Sequence, residues 1–228
     1  MKNFLAFLMI GSLLIVGCKN GCKSDKTAIT KEDSANINLG ELPDSLKSRP
    51  QHDSLQATVN KDSVLTALTK EVFTLFKNKE YAKLDSLIHP EEGVRFSPYA
   101  TVHPEEDKKF SRDTFNKLVT TGKNKKINWG SYDGSGDAIL LTPEEYFRKF
   151  VYDANFVHPE KYEVNHFIGA GNSQNNLKQA YEGGNFTESY FSGSKKNGGI
   201  DWKTVRLVFK EINGKYYLVG VVHDQWTI

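Results

Sequence analysis

The sequence predicts one α+β domain over residues 61 to 228, and three observations lead to this fold class. Apolar residues recur at three- and four-residue steps over residues 64 to 76, which is the spacing of one helix face. Thr142 and Glu145 have the spacing of a capping box at the start of another helix. Asn213-Gly214 separates two long runs rich in β-branched and aromatic residues, and this dipeptide is a strong signal for a β-hairpin.

The first 17 residues have the organisation of a secretory signal. Lys2 is a basic start, residues 4 to 16 are apolar, and Gly17 is a small residue directly before Cys18. As a helix, this apolar stretch is about 20 Å long, which is short of the roughly 30 Å hydrocarbon core of a bilayer. We therefore interpret it as a cleaved signal. A cysteine placed there by chance after an ordinary signal is the alternative.

The run Ile15-Val16-Gly17-Cys18 resembles the lipobox of bacterial lipoproteins, in which an aliphatic residue, any residue and a small residue precede cysteine. The resemblance implies removal of residues 1–17 and acylation of Cys18, and several acyl chains give durable membrane anchoring. Lys19 stands where an inner-membrane protein of this kind has aspartate. The lipobox resemblance therefore implies a lipid-anchored protein of the bacterial cell envelope. In a cell with two membranes, Lys19 favours the outer membrane, on its periplasmic or surface face.

Residues 18–60 differ in composition from the rest of the chain. They are rich in Lys, Asp, Ser, Asn and Thr and contain no aromatic residue, so they lack the apolar area that offsets chain entropy on folding. We predict a flexible tether with a root-mean-square span of roughly 35 to 40 Å. The whole chain has a formal net charge of +2, and this balance argues against a nucleic-acid partner.

The domain itself alternates helical and extended patterns. The periodicity and capping signals predict helices over residues 63–77, 81–88, 112–120 and 143–154. Runs rich in β-branched and aromatic residues predict strands over residues 93–97, 127–132, 138–141, 162–168, 188–191, 204–212 and 215–228. The C-terminal third of the chain is predicted to be mainly β-structure.

The two-residue turn at Asn213-Gly214 predicts the register of the terminal hairpin. It pairs Arg206 with Val221, and it places Arg206 and His223 on one face. Both faces are largely apolar, so we expect a central hairpin whose second face is covered by another layer or by another subunit. A homodimer through the face that carries Val208, Val219 and Val221 is one such arrangement.

Residues 78–90, which close the leading helix pair, and the terminal hairpin with residues 214–220 resemble the NTF2-like superfamily. The resemblance implies a cone in which a bent antiparallel sheet wraps around N-terminal helices. Members of this superfamily include isomerases, dehydratases and non-enzymatic binding modules. Residues 93–99 and 222–226 also resemble bacterial lipoproteins that have no assigned activity. Residues 98–122 and 169–184 are longer than the minimal fold of the superfamily needs.

Five side chains are candidates for a pocket in this domain. Arg206 and His223, on one predicted face, suit an anionic ligand, although both can equally line a sheet edge. Asp153 and Tyr146 are close together around the helix from Pro143, and a carboxylate beside apolar residues can have a raised pKa and act as a base. The alternative is that Asp153 faces water. His166 is a further acid–base candidate.

The sequence contains no catalytic signature, and no catalytic residue is assigned. The six histidines lack the close paired spacing of zinc sites. Residues 133–137 loosely resemble a calcium loop, but their glycines fit a hairpin turn better. Residues 169–176 suit a neutral polar ligand such as a sugar, or form a solvated turn. We therefore expect no metal and no cofactor. The predicted function is a small-molecule-binding or protein-interaction domain, with an acid–base isomerase or hydrolase as the alternative.

Overall fold

The computed structural model describes residues 60 to 169 and 171 to 227. The predictions for the signal peptide, for Cys18 and for nearly all of the tether lie outside these residues. The helices are α1 (Lys61–Lys77), α2 (Arg112–Val119), α3 (Pro143–Phe150) and α4 (Leu177–Ala180), and 3₁₀ turns cover Tyr81–Ser86 and Lys195–Asn197. In this described part of the chain, no helix has the length and apolar character needed to cross a membrane.

Within the described residues, eight strands form two sheets. The strands are β1 (Val94–Ser97), β2 (Lys108–Phe110), β3 (Ile127–Ser131), β4 (Ala138–Leu141), β5 (Lys161–Val164), β6 (Asn185–Phe191), β7 (Lys203–Ile212) and β8 (Lys215–Gln225). Six of them follow the order β2-β1-β8-β7-β6-β5, while β3 and β4 form a separate hairpin. Strand β1 pairs with β8 in parallel, and the other pairs are antiparallel. The α+β class is confirmed.

The predicted helix signals work locally as expected. The Thr142 hydroxyl accepts a hydrogen bond from the Glu145 amide at 3.3 Å, and the Glu145 carboxylate accepts one from the Thr142 amide at 2.8 Å. This capping box fixes the start of α3. Helix α3 ends at Phe150, before the predicted end at residue 154, so Asp153 lies beyond the helix. The predicted helix at residues 81–88 is a shorter 3₁₀ turn.

Aromatic side chains fill the space between one sheet face and the helices. Phe96 of β1 lies at the centre of this core, with ring centroids 5.9 Å from both Phe115 of α2 and Trp129 of β3. Trp129 stacks on Tyr146 of α3 at 4.0 Å. All of these rings are at most 1% exposed. The interior is therefore packed with side chains, as close packing of protein cores requires.

The terminal hairpin turns where the sequence predicts. Asn213 and Gly214 have φ values of 52° and 77°, which are the left-handed conformations that a tight hairpin turn needs. The register agrees with the prediction from the turn as far as the Phe209–Leu218 pair. The next pair joins Val208 to Gly220, so β8 contains one extra residue between these two pairs. This β-bulge shifts each following pair by one residue.

The bulge overturns the predicted face of His223. Arg206 pairs with Val222 rather than with Val221, and Val205 pairs with His223. Directly paired residues point to the same side of a sheet, and neighbours along a strand point to opposite sides. Arg206 and His223 therefore lie on opposite faces, and the prediction that they share one face is wrong.

The second face of the hairpin is covered by the same chain. Val208, Val219 and Val222 pack there against Leu177 and Tyr181, from the segment around α4. The second face is therefore covered as predicted, and the covering layer comes from the same chain rather than from another subunit. Val208 and Val219 are 0% and 2% exposed. Val221, the third valine of the predicted interface, belongs to the core on the other face of the sheet. The homodimer interface predicted on Val208, Val219 and Val221 is therefore wrong, while self-association by another surface stays a prediction.

Candidate functional site

Arg206 is the cation of a buried ionic cluster on this second face. It donates hydrogen bonds to Asp224 Oδ2 at 3.2 Å, to Glu188 Oε1 at 3.1 Å and to the Gly169 carbonyl at 3.1 Å. The side chains of Arg206, Glu188 and Asp224 are at most 2% exposed. The guanidinium is thus used within the protein and has no surface that a ligand can reach.

Glu188 extends this cluster to the neighbouring loop. Its carboxylate accepts hydrogen bonds from the amides of Ile168 and Gly169, at 3.0 and 3.1 Å, and from the Thr204 hydroxyl at 3.0 Å. The cluster therefore fastens residues 168–169 to the sheet. Burial raises the pKa of the Asp224 carboxyl, although the nearby guanidinium acts in the opposite direction.

His223 lies on the other face, where it meets Asp153. Its Nε2 is 3.5 Å from Asp153 Oδ2, and Lys203 Nζ is 2.7 Å from the same oxygen. Burial acts to raise the pKa of Asp153, but the contacts with His223 and Lys203 outweigh it and hold the pKa below its usual value. The predicted raised pKa is wrong. The alternative that Asp153 faces water is also wrong, because its side chain is 12% exposed.

The two remaining candidates are far apart in environment. Tyr146 is fully buried in the aromatic core, and burial raises the pKa of its hydroxyl well above the usual value. His166 is exposed, and its Nδ1 lies 3.0 Å from the Val164 carbonyl oxygen. The structure thus brings His223 to Asp153, but it does not gather the five predicted side chains around one accessible pocket.

A cavity of about 520 Å³ lies at the rim of the sheet, where several loops meet. Its wall is formed by the end of β1 with the loop that follows, by the β3–β4 turn, by the polar loop after Gly169 and by Thr227. The lining residues are mostly polar: Pro98, Tyr99, Thr101, His103, Glu106, Asp107, Ser131, Tyr132, Asp133, Asn172, Ser173, Gln174 and Thr227.

Side-chain hydrogen bonds hold these loops together. Asn176 accepts a hydrogen bond from the Val102 amide at 2.8 Å and donates one to the Val102 carbonyl at 3.0 Å. Asn172 donates to the Thr227 carbonyl at 2.6 Å. The opposing walls of the cavity are therefore linked directly across loops that are distant in sequence.

Asp107 is the buried acid of this cavity, with 6% exposure. Its Oδ2 accepts hydrogen bonds from the Ser97 hydroxyl and, at 2.9 Å, from the His103 amide. Burial raises the pKa of Asp107, and the bonds from Ser97 and His103 reduce this effect without cancelling it. Both hydrogen bonds reach Oδ2, so Oδ1 is the oxygen that can accept a donor from a ligand.

The sequence predicted one wall of the cavity and missed the others. The polar loop at residues 169–176 was a candidate for polar ligands, and residues 98–122 were longer than the minimal NTF2-like fold needs. Both segments contribute to the cavity. Tyr99, Glu106 and Asp107 were not predicted, since single acids and tyrosines in a loop form no recognisable motif. The extra length of residues 98–122 was the only feature of the sequence that pointed to these three residues.

Residues 60–169 and 171–227 contain no group of three or more His, Cys, Asp or Glu side chains placed to hold a metal ion. Residues 133–137 form the turn between β3 and β4, in which Gly134 and Gly136 have φ values of 83° and 72°. The glycines of the loose calcium pattern thus serve a hairpin turn.

Comparisons with models of protein families, with curated proteins and with solved structures gave no match to this chain.

Proposed function

We propose that this protein is a lipid-anchored ligand-binding protein of the bacterial envelope, whose NTF2-like domain holds a small polar molecule in the rim cavity. The anchor rests on the lipobox resemblance at Cys18. The NTF2-like cone is supported by the leading helix and by the antiparallel run β8-β7-β6-β5, whereas the parallel pairing of β1 with β8 departs from the antiparallel sheet that the resemblance implies. Function cannot be read from fold alone, so the binding proposal rests on the residues of the cavity.

One observation carries the binding proposal. A nearly buried carboxylate, Asp107, lines a cavity of about 520 Å³, together with tyrosines, amides and hydroxyls from separate loops. This volume is within the usual range of small-molecule sites, roughly 300 to 1,000 Å³. Polar groups that converge from distant parts of a chain provide the directional contacts that specific binding needs.

The acid–base alternative receives less support from the residues first considered for it. His223 is fully buried, and its partner Asp153 has a lowered rather than a raised pKa. A general base must reach its substrate and must take up a proton near the working pH. We therefore assign His223 and Asp153 a structural role, in which they connect Lys203 to the Pro98 carbonyl at the edge of the cavity.

Ligand-observed NMR on the full chain in detergent micelles tests the binding proposal. A library of small polar molecules is screened against the wild type and against Ser173→Trp, which places an indole ring in the cavity. Ser192→Trp adds the same ring at an exposed position outside the cavity lining and is the matched control. We expect hits that Ser173→Trp loses and Ser192→Trp keeps. Hits that survive in both variants would place binding elsewhere.

Fractionation tests the anchor separately. Cys18→Ala should move the protein from the membrane to the soluble fraction, because the acyl chains are the proposed attachment. Cys22→Ala removes the other cysteine of the chain and should leave the protein in the membrane. Retention of Cys18→Ala in washed membranes contradicts the lipoprotein interpretation.

A further inference from the structure

The charges around the rim cavity are strongly one-sided. Three carboxylates line it, from Glu106, Asp107 and Asp133, while the lining contains no lysine and no arginine. His103 is the only lining side chain that can carry a positive charge, and Arg95 lies next to the lining, where its Nη1 donates to the Asp107 carbonyl at 3.3 Å. This imbalance is local, because the whole chain has a formal net charge of +2. The cavity therefore disfavours anions and favours a ligand with a positive charge.

Among the three carboxylates, Asp107 is held in a fixed position. Its Oδ2 is held by Ser97 and by the His103 amide, so the carboxylate is fixed in place. At 6% exposure, its charge is poorly solvated by water. A buried carboxylate gains more from an ammonium group than an exposed one does, because the two charges interact in a medium of lower dielectric constant.

The remaining lining groups indicate the chemistry of the rest of the ligand. Asn172 and Gln174 supply amides, and Thr101, Ser131, Ser173 and Thr227 supply hydroxyls, all of which suit a molecule with several hydroxyl groups. Tyr99 and Tyr132 provide aromatic surface that packs against the C–H groups of a sugar ring. The Tyr132 ring already has a cation of the protein, since Lys149 Nζ lies 4.4 Å from its centroid.

We propose that the rim cavity binds a polyhydroxylated small molecule that carries a protonated amine, with amino sugars as the chemical class. The ammonium group pairs with Asp107 Oδ1, and the hydroxyl groups bind the amides and hydroxyls of the opposite wall. This inference rests on the proposed binding function and specifies its ligand.

Three probes built on one sugar test the charge preference. Glucosamine, glucose and glucose 6-phosphate have similar rings but are positive, neutral and negative. Titration of each into the full chain, labelled with ¹⁵N-asparagine and ¹⁵N-glutamine, reports on the side-chain amides of Asn172 and Gln174. We expect glucosamine to bind about tenfold more tightly than glucose, and the phosphate ester to bind more weakly than both.

A matched pair of substitutions tests the site. Glu106→Gln removes a lining carboxylate and should reduce the preference for glucosamine over glucose, whereas Glu105→Gln makes the same change at the adjacent residue, which does not line the cavity. An equal effect of both variants would mean that the preference comes from general charge. That result would overturn the proposed site.

The possible failures can be distinguished. Equal binding of glucose and glucosamine, or tighter binding of glucose 6-phosphate, overturns the amine class while the cavity function stands. If the polar library yields cavity hits but glucosamine does not shift the Asn172 and Gln174 signals, the amino-sugar class is again wrong. If neither the library nor the three sugars bind, the proposed binding function itself fails.

Discussion

Replacing Arg206 with methionine should cost about 4 kcal/mol of unfolding free energy, because it leaves two buried carboxylates without their cation. Arg206 donates hydrogen bonds to Glu188, Asp224 and the Gly169 carbonyl at 3.1 to 3.2 Å, and its side chain is 0% exposed. Each hydrogen bond that involves a charged group contributes roughly 1.5 kcal/mol, and the three together reach a similar total. Methionine fills most of the volume of the arginine side chain, so the loss of unfolding free energy measures the effect of the unpaired charges.

The pH dependence of this loss identifies its cause. Burial already raises the pKa of Asp224, and Arg206 opposes this effect, so without the guanidinium the folded-state pKa of Asp224 should lie still further above the unfolded value. Such a group contributes stability below the unfolded pKa that is lost as the pH rises through the folded pKa. The gap between Arg206→Met and the wild type should therefore be large at about pH 7 and smaller at about pH 5. Urea unfolding followed by tryptophan fluorescence measures both.

Arg148→Met is the matched control, because Arg148 is exposed and a surface change of this kind costs within about 0.5 kcal/mol. A loss below about 1 kcal/mol for Arg206→Met, or a gap that stays constant with pH, would refute the argument. The first result would mean that the carboxylates find other partners or water. The second would mean that packing, rather than charge, determines the cost.

Three further substitutions test the second sheet face. A Cβ at Gly220 would lie 2.5 Å from the Tyr181 hydroxyl oxygen, so Gly220→Ala should lose about 1 to 3 kcal/mol in urea unfolding, and adding Tyr181→Ala should add less than its separate cost. Val219 is 2% exposed, so Val219→Lys should abolish cooperative unfolding, as seen by circular dichroism. A folded Val219→Lys protein that merely loses self-association in sedimentation would restore the interface argument.

The elements of this fold were predictable where the signal was local. The capping box at Thr142 and the turn at Asn213-Gly214 act within a few residues, and both form as predicted. The bulge at Val219 was not predictable, since β8 is apolar on both sides and either register buries a valine. One extra residue then exchanged the faces of every residue beyond it, including His223.

The candidate site was less predictable for the same physical reason. Arg206 looked like a ligand-binding cation, because its partner Glu188 is on another strand and the loop at Gly169 that covers it has no sequence signal. Strand β2, which was not predicted, helps to bring the loop that carries Asp107 beside the end of β1. Tertiary contacts of this kind leave no spacing pattern in the chain, so loop length alone suggested their presence.

The substitution Asp107→Asn tests whether Asp107 stabilises the fold or binds the ligand. Burial raises the pKa of Asp107, so it contributes stability below the ordinary carboxyl pKa that is lost as the pH rises through the folded value. At about pH 7 the charged form is therefore unfavourable in the folded protein. Asparagine keeps an oxygen for Ser97 and for the His103 amide.

We expect Asp107→Asn to be at least as stable as the wild type at about pH 7 in urea unfolding, and the difference should disappear as the pH falls below the unfolded pKa of about 4. In the same variant, glucosamine should bind no more tightly than glucose. A marked loss of stability with unchanged glucosamine affinity would make Asp107 a structural residue. If Asp107 lowers the stability of the free protein and yet determines the affinity for glucosamine, its role is ligand binding. The buried charge is unfavourable in the free protein, and the ammonium group of the bound ligand stabilises it.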